Sequence, residues 1–324
     1  MSASDQGVWL LGEALVDLIQ ESDGRYSACL GGSVFNVGLA LSRLGQPVTY
    51  LNPFSTDRWG QSFTDRAMAE GLAPSPLGRS ACLTSLAVVS TDALGQPTYA
   101  FYRDRVADRD WTAEALLAEV SGAPGRVLHT GGLALMPSDW PKLRVVLEAW
   151  RMAGGLVSMD LNVRLTAAED AQSCRAVLQE AVRAADLLKV SQEDLEALGQ
   201  LDHSAGADQA LEAYLRWMDL HEAHPALAVL TRGEGPGWWV TKTAAPQAFS
   251  PRPVSTVIDT VGAGDCFWAA LLAGLSRLSL LGAEVLLPQS VGLAMEWACL
   301  AAAHNIAHRG CEPIRASELF SEES

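Results

Sequence analysis

Positive charge, paired cysteines and long apolar runs are all scarce in this 324-residue chain. Its 23 Lys and Arg stand against 38 Asp and Glu, for a net charge of −15. That balance excludes a surface made to hold nucleic acid or an anionic membrane. It does not exclude a nucleotide, because a bound Mg²⁺ and a local anion hole override the global field. No apolar run reaches the roughly 18 residues that a membrane span needs. The six cysteines (Cys29, Cys82, Cys174, Cys266, Cys299, Cys311) form no Cys-x-x-Cys pair. They read as buried free thiols of a cytoplasmic protein. Met1 to Gly7 is polar, contains Asp5 and lacks a basic region, so no secretory leader is expected there. No 20–50-residue repeat or low-complexity tract is present. With 324 residues, 49 % of them hydrophobic, the chain has ample core for one large domain or two.

What is present alternates. Val8–Leu11 reads as a short strand, and Ala14–Ile19 and Tyr26–Leu30 as a hairpin around a turn at Ser22-Asp23-Gly24. A helix with Ser33 as N-cap and Gly45 as C-terminal stop follows, then a strand at Val48–Leu51. An amphipathic helix through Phe63 and Ala67 comes next. Residues 83–106 alternate as a second hairpin, turning at Asp92 to Gln96. From Val127 onward, strands (127–129, 156–160, 187–190, 227–230) are separated by helices (138–153, 169–185, 206–221). That rhythm means βαβ units and a doubly wound, mainly parallel α/β sheet flanked by helices. Ligands on such sheets bind beyond the carboxyl ends of the strands. Polar clusters sit there: Asp160-Leu161-Asn162-Val163-Arg164, Ser191-Gln192-Glu193-Asp194 and Thr231-Arg232-Gly233-Glu234-Gly235.

The most informative stretch is Ile258-Asp259-Thr260-Val261-Gly262-Ala263-Gly264-Asp265-Cys266-Phe267. A strand or loop here becomes a helix N-terminus, marked by the later apolar stripe Phe267, Leu271, Leu272 and Leu275. Unpaired N–H groups, the helix dipole and two glycines make Gly262, Ala263 and Gly264 an anion hole. Asp265 is either an N-cap or a general base that takes a proton from an attacking hydroxyl. Arg164 is a surface ion-pairing residue or, from its place at a strand end, a phosphate fork. Asn36 is a capping amide or a polar contact to a small ligand. Asp17, one acid on an apolar strand, reads as outward-facing. Gly233, Gly235 and Gly237 are followed by a strand, which argues for a hairpin turn over a dinucleotide fingerprint. The spaced histidines His304 and His308, and His221 and His224, lack a third metal ligand and read as helix-end residues.

Asp-Thr-x-Gly-Ala-Gly-Asp-x-Phe closely resembles the C-terminal signature of the ribokinase-like (PfkB) sugar kinases. Gly31-Gly32, Asn36, Leu44 and Gly45 resemble the same family's other signature, in the right order. The resemblance implies a single ribokinase-like domain over 1–324, with a small β lid built from two inserted segments, about 13–31 and 83–108. It implies ATP and Mg²⁺ as cofactors, with Asp265 as base, Gly262, Ala263 and Gly264 as anion hole and Arg164 at the phosphates. Asp17, Gly31, Gly32, Asn36, Phe101, Arg103 and Asn162 would face the sugar. Thr231, Gly233, Gly235, Ser191 and Asp194 would face the nucleotide, with Asp194 organising Mg²⁺ through water. Ser191 and Asp194 depart from the family's Asn-x-x-Glu. Asp259, Val261, Asn305 and Gly310 fall where relatives hold a monovalent cation such as K⁺. Phe101-Tyr102-Arg103, Ala107-Asp108-Arg109 and Lys189-Val190-Ser191 look like the fructokinase branch, which implies D-fructose and its 6-phosphate. Ribose, aminoimidazole riboside, 2-keto-3-deoxygluconate and a nucleoside are the alternative substrates. A sugar-sensing relative without catalysis is the alternative of another class. An exposed lid edge implies a homodimer that pairs lids.

Overall fold

The computed structural model describes residues 7–21, 23–91, 97–120, 127–283 and 285–321. The turn at Asp92 to Gln96, Ser22 and the first six residues lie outside these. The strands in chain order are β1 (Val8–Leu10), β2 (Leu15–Gln20), β3 (Tyr26–Gly31), β4 (Val48–Tyr50), β5 (Phe54–Ser55), β6 (Arg79–Ser80), β7 (Ser85–Thr91), β8 (Pro97–Tyr102), β9 (Val127–Gly131), β10 (Leu156–Asp160), β11 (Leu187–Ser191), β12 (Leu227–Arg232), β13 (Gly235–Thr241) and β14 (Ala244–Phe249). The α-helices are α1 (Ser33–Arg43), α2 (Arg58–Ala69), α3 (Ala113–Val120), α4 (Trp140–Met152), α5 (Ala171–Ala181), α6 (Gln192–Ala197), α7 (Ala207–Leu220), α8 (Ala263–Arg277), α9 (Pro288–Ile306) and α10 (Ala316–Leu319).

The main sheet has eight strands in the order β14-β13-β12-β11-β10-β9-β1-β4. From β4 to β12 every neighbour is parallel, and β13 and β14 turn back antiparallel. Successive side chains leave a strand on opposite faces, so each strand feeds two cores. Val8, Leu10, Val127, Leu187, Leu227 and Val229 point to the core under α1, α2, α8 and α9. Leu128, Leu188, Val190, Ala228 and Leu230 point to the core under α3 to α7. Burying each such Leu or Val contributes about 1.5–3 kcal/mol.

A separate four-stranded sheet, β3-β2-β7-β8, is built from the two segments the resemblance marks as a lid. Its register sets Asp17 opposite Cys29 on one side and Ala87 on the other, with Phe101 next across the sheet. Three cysteines are buried, but Cys29, Cys82 and Cys311 are only half-buried, which corrects the expectation of six buried thiols. No helix among the described residues is long and apolar enough to cross a membrane. His308 Nδ1 bonds the His304 carbonyl at 2.8 Å, a helix-end contact.

Candidate active site

The helix α8 begins at Gly262, whose φ of 79° is left-handed. A side chain there would also meet Cys311, with the nearest atom 2.8 Å from its Cβ. Glycine is therefore required twice over at this turn. Asp265 is in the first turn, 9 % exposed. Ser33 Oγ donates to its Oδ1 at 2.6 Å, and Asn36 Nδ2 to its Oδ2 at 2.8 Å. Both donors come from the first turn of α1, at the far end of the sequence. Burial pushes the Asp265 carboxyl up, and the two hydrogen bonds, Lys189 and Arg164 pull it back. The side chain does not cap its own helix. It is a clamped, water-poor carboxylate with one lone-pair direction left on each oxygen.

Two local expectations are corrected here. Ser33 is not the cap of α1: Gly32 holds that position with no side-chain bond, because the Ser33 hydroxyl is spent on Asp265. The Ala263 N–H does not join an anion hole, since it donates to the Thr260 carbonyl at 3.2 Å. Gly264 is exposed at the same helix end, where free N–H groups and the dipole favour an anion.

On one side of Asp265 lies the small sheet. Asp17 is half-buried, and a Cβ on Gly31 would fall 2.3 Å from its Oδ2. Gly31 thus makes the space that the carboxylate occupies. Burial pushes Asp17 up to about 6, with Arg164 pulling down and Asp265 pushing up. Half-buried against Gly31, with Arg164 and Asp265 acting on its charge, it is not the outward-facing residue that its apolar neighbours suggest. Gly32, at φ 105°, would bring a Cβ within 2.5 Å of the Glu13 carbonyl oxygen. Asn162 adopts φ 41°, a left-handed conformation that Asn tolerates. Phe101 stacks on Tyr99, centroids 6.0 Å apart. Arg103 braces the sheet: Nη2 donates to Asp108 at 3.1 Å and Nη1 to the Leu133 carbonyl at 3.2 Å. Its Nε is buried without a hydrogen-bond partner.

On the other side are the ends of β10, β11 and β12. Ser191 pairs with Thr231 across two parallel strands, and Gly233 (φ 55°) and Glu234 turn the chain into β13 at Gly235. Arg164 is half-buried and donates to the Val163 carbonyl at 3.0 Å. Asp194 is 3 % exposed and closes a capping box with Ser191. Its Oδ1 accepts the Val163 N–H at 2.6 Å and its Oδ2 the Ser191 N–H at 2.7 Å. The shorter acid that replaces the family's Glu is thus committed to holding the Asn162–Arg164 turn against α6.

Sequence reasoning missed the ion pair beneath this surface. Lys189 Nζ bonds both Asp160 oxygens, at 2.9 and 2.8 Å, with both side chains buried. A side chain on Gly264 would start 3.3 Å from Lys189 Nζ. The positive charge therefore lies directly under the helix end. A lysine inside an otherwise apolar strand, Leu187–Ser191, was the available signal.

Asp259, Val261, Asn305 and Gly310 do meet. Asp259 accepts the Val261 N–H at 3.0 Å and the Gly310 N–H at 2.8 Å, and Asn305 Nδ2 donates to the Val261 carbonyl at 2.7 Å. Each of these oxygens keeps a lone pair, which fits a weakly held monovalent cation. For a divalent ion the fit is different: no cluster of three His, Cys, Asp or Glu among the described residues could hold one.

The chain is similar to known proteins over nearly its whole length. The model of the pfkB family carbohydrate kinases matches residues 5–316. A fructokinase of Klebsiella pneumoniae is 32 % identical over 294 residues, 88 % of this chain and 91 % of its own. The structure resembles that of fructokinase from Vibrio cholerae O395 with fructose, ADP and calcium ion bound, with a TM-score of 0.78, 27 % identity and 95 % of both chains covered. It shares its fold with the ATP-bound fructokinase of Xylella fastidiosa, with a TM-score of 0.80, 24 % identity and 98 % of both chains covered. With the clamped Asp265, the glycine-opened helix end and these matches together, the chain belongs to the pfkB family of carbohydrate kinases.

Proposed function

We propose that this kinase transfers the γ-phosphoryl group of ATP to the 6-hydroxyl of D-fructose. The observation that carries this reading is Asp265, held by Ser33 and Asn36 between the Asp17 face and the Gly264–Lys189 face. The fructokinase relatives support the choice of sugar. The primary hydroxyl gives its proton to an Asp265 oxygen as its own oxygen attacks the γ-phosphorus, and ADP leaves. Asp17 accepts sugar hydroxyls, while Gly31, Gly32, Asn162 and Phe101 shape the pocket around them. Thr231, Gly233, Gly235 and Ser191 line the nucleotide, and Arg164 faces its phosphates. Mg²⁺, when bound with ATP, neutralises phosphate charge. Positioning and charge stabilisation do most of the work in such transfers. The small sheet acts as a lid, and the cell compartment is the cytoplasm, where ATP is available.

ADP release measured over a panel of fructose, ribose, aminoimidazole riboside and 2-keto-3-deoxygluconate should give fructose the highest kcat/KM. Removing a charged hydrogen-bond partner costs about 1.5–3 kcal/mol, so Asp17→Ala should raise the fructose KM by about 10–100-fold. The ATP KM should hold. A fructose KM that stays put while the ATP KM worsens would place the sugar in the other half of the cleft.

The lid also carries the proposal of a homodimer. Tyr26, Tyr99 and Tyr102 are 46 %, 43 % and 61 % exposed on its outer strands. Burying such aromatics against a second copy is favourable, and pairing covers a free sheet edge. Sedimentation should give twice the chain mass, and Tyr102→Asp should shift it toward one chain mass. A monomeric wild type at micromolar concentration would sink this part.

A further inference from the structure

Glu13 is absent from every motif above, yet it is 3 % exposed at the junction of the two sheets. It ends the loop from β1 and opens the lid, two residues before β2. The lid's hairpin closes again at Gly31, Gly32 and Ser33. Glu13 joins these two roots: its Oε1 accepts the Ser33 N–H at 3.0 Å. The backbones are also packed there, since Gly32 has no room for a Cβ beside the Glu13 carbonyl. The Ser33 hydroxyl then continues to Asp265 at 2.6 Å. One carboxylate, one N–H, one hydroxyl and the base therefore form a chain through three elements.

The other face of Glu13 is equally confined. A Cβ on Gly132 would lie 2.9 Å from its Oε1, and Oε2 is buried without a partner. The charged groups facing it are Arg103 after β8, Asp108 in the turn beyond, and Asp265 on α8. Burial pushes its carboxyl up to about 7, Arg103 and the backbone pull down, and Asp108 and Asp265 push up. An acid left in such a place without full solvation is costly, which a purely structural latch does not require.

We propose that Glu13 is a positioning residue for the phosphoryl transfer: it pins the two roots of the lid and, through Ser33, sets where Asp265 points. This rests on the reading of Asp265 as base. Lid movement is then felt at the base through Ser33, whose N–H is held by Glu13 and whose hydroxyl is held by Asp265.

Two variants test it in the purified full chain. Glu13→Ala removes the acceptor of the Ser33 N–H and should lower kcat by about tenfold or more, the cost of slightly misplaced catalytic groups. Glu13→Gln keeps an acceptor oxygen and should recover most of that loss. The pH dependence of kcat separates positioning from simple support. Wild-type kcat should rise with pH in two steps, one for Asp265 and one for Glu13 near neutrality, where its charge grips the Ser33 N–H more strongly. The Gln variant should keep only the Asp265 step. Both steps surviving in Glu13→Gln, or wild-type kcat in a folded Glu13→Ala, overturns the proposal. If the Ala variant fails to fold, the Gln profile alone decides. Failure of the base reading looks different: Asp265→Asn would then turn over normally in the same assay.

Discussion

Asp265→Asn should lower kcat by about 10²–10⁴-fold, the usual range for losing a general base, with the ATP KM nearly unchanged. The structure explains why the variant should remain folded. The introduced amide can accept from Asn36 Nδ2 through its oxygen and donate to Ser33 Oγ through its NH₂, so the two clamp contacts survive in altered polarity. What is lost is the charge and the ability to accept the sugar's proton. A thermal unfolding scan beside the kinetics separates the two effects. Turnover within about a factor of three of wild type, under half a decade of the loss expected for a base, would remove Asp265 from the mechanism.

Lys189→Met should have the largest effect on stability. The methionine keeps length and apolar bulk but strands Asp160, whose side chain is only 2 % exposed, in the middle of the sheet. Breaking one partner of a buried pair costs about 3–5 kcal/mol. Urea unfolding should show that loss as a lower midpoint with an unchanged slope. The sign of its pH dependence follows. An unpaired, buried Asp160 has a folded pKa raised above its unfolded value, so the penalty appears as pH rises above the unfolded carboxylate range. The deficit of the single variant should therefore be larger near neutral pH than at about pH 4, the unfolded carboxylate range. Asp160→Asn combined with Lys189→Met should restore much of it, because no uncompensated charge remains. A single variant within about 1 kcal/mol of wild type, far below the cost of a stranded buried charge, would mean that water reaches Asp160.

The layered fold was legible because its signals are local. The parallel strands alternate with helices of ordinary length, and Leu156–Asp160 is found where its apolar run ends. The misses share a physical cause. Strand β14 reads Ala-Ala-Pro-Gln-Ala-Phe, with weak strand preference and a proline that only an edge tolerates. Val257 and Ile258 look like strand residues but are 48 % and 61 % exposed, and the Ile258 N–H bonds the Ile306 carbonyl. Helix α9 is apolar nearly all round because it is packed on several sides, so it shows no clean stripe. In the site, Gly262, Asp265, Asp17 and Asn36 were readable as types at motif positions. Ser33, Glu13 and the Lys189–Asp160 pair were not, since their roles depend on partners 232, 20 and 29 positions away.

The clamp on Asp265 also bears on how the molecule comes into being on the ribosome. Every strand of both sheets lies before residue 250, whereas α8 and α9 come after residue 262. A nascent chain of 262 residues thus holds the complete sheets, with the apolar face of α1 that packs on α8 still awaiting its partner. Translation at about 5–20 residues per second leaves that apolar face uncovered for several seconds, and catalytic competence and protection from aggregation arrive together with the last helices.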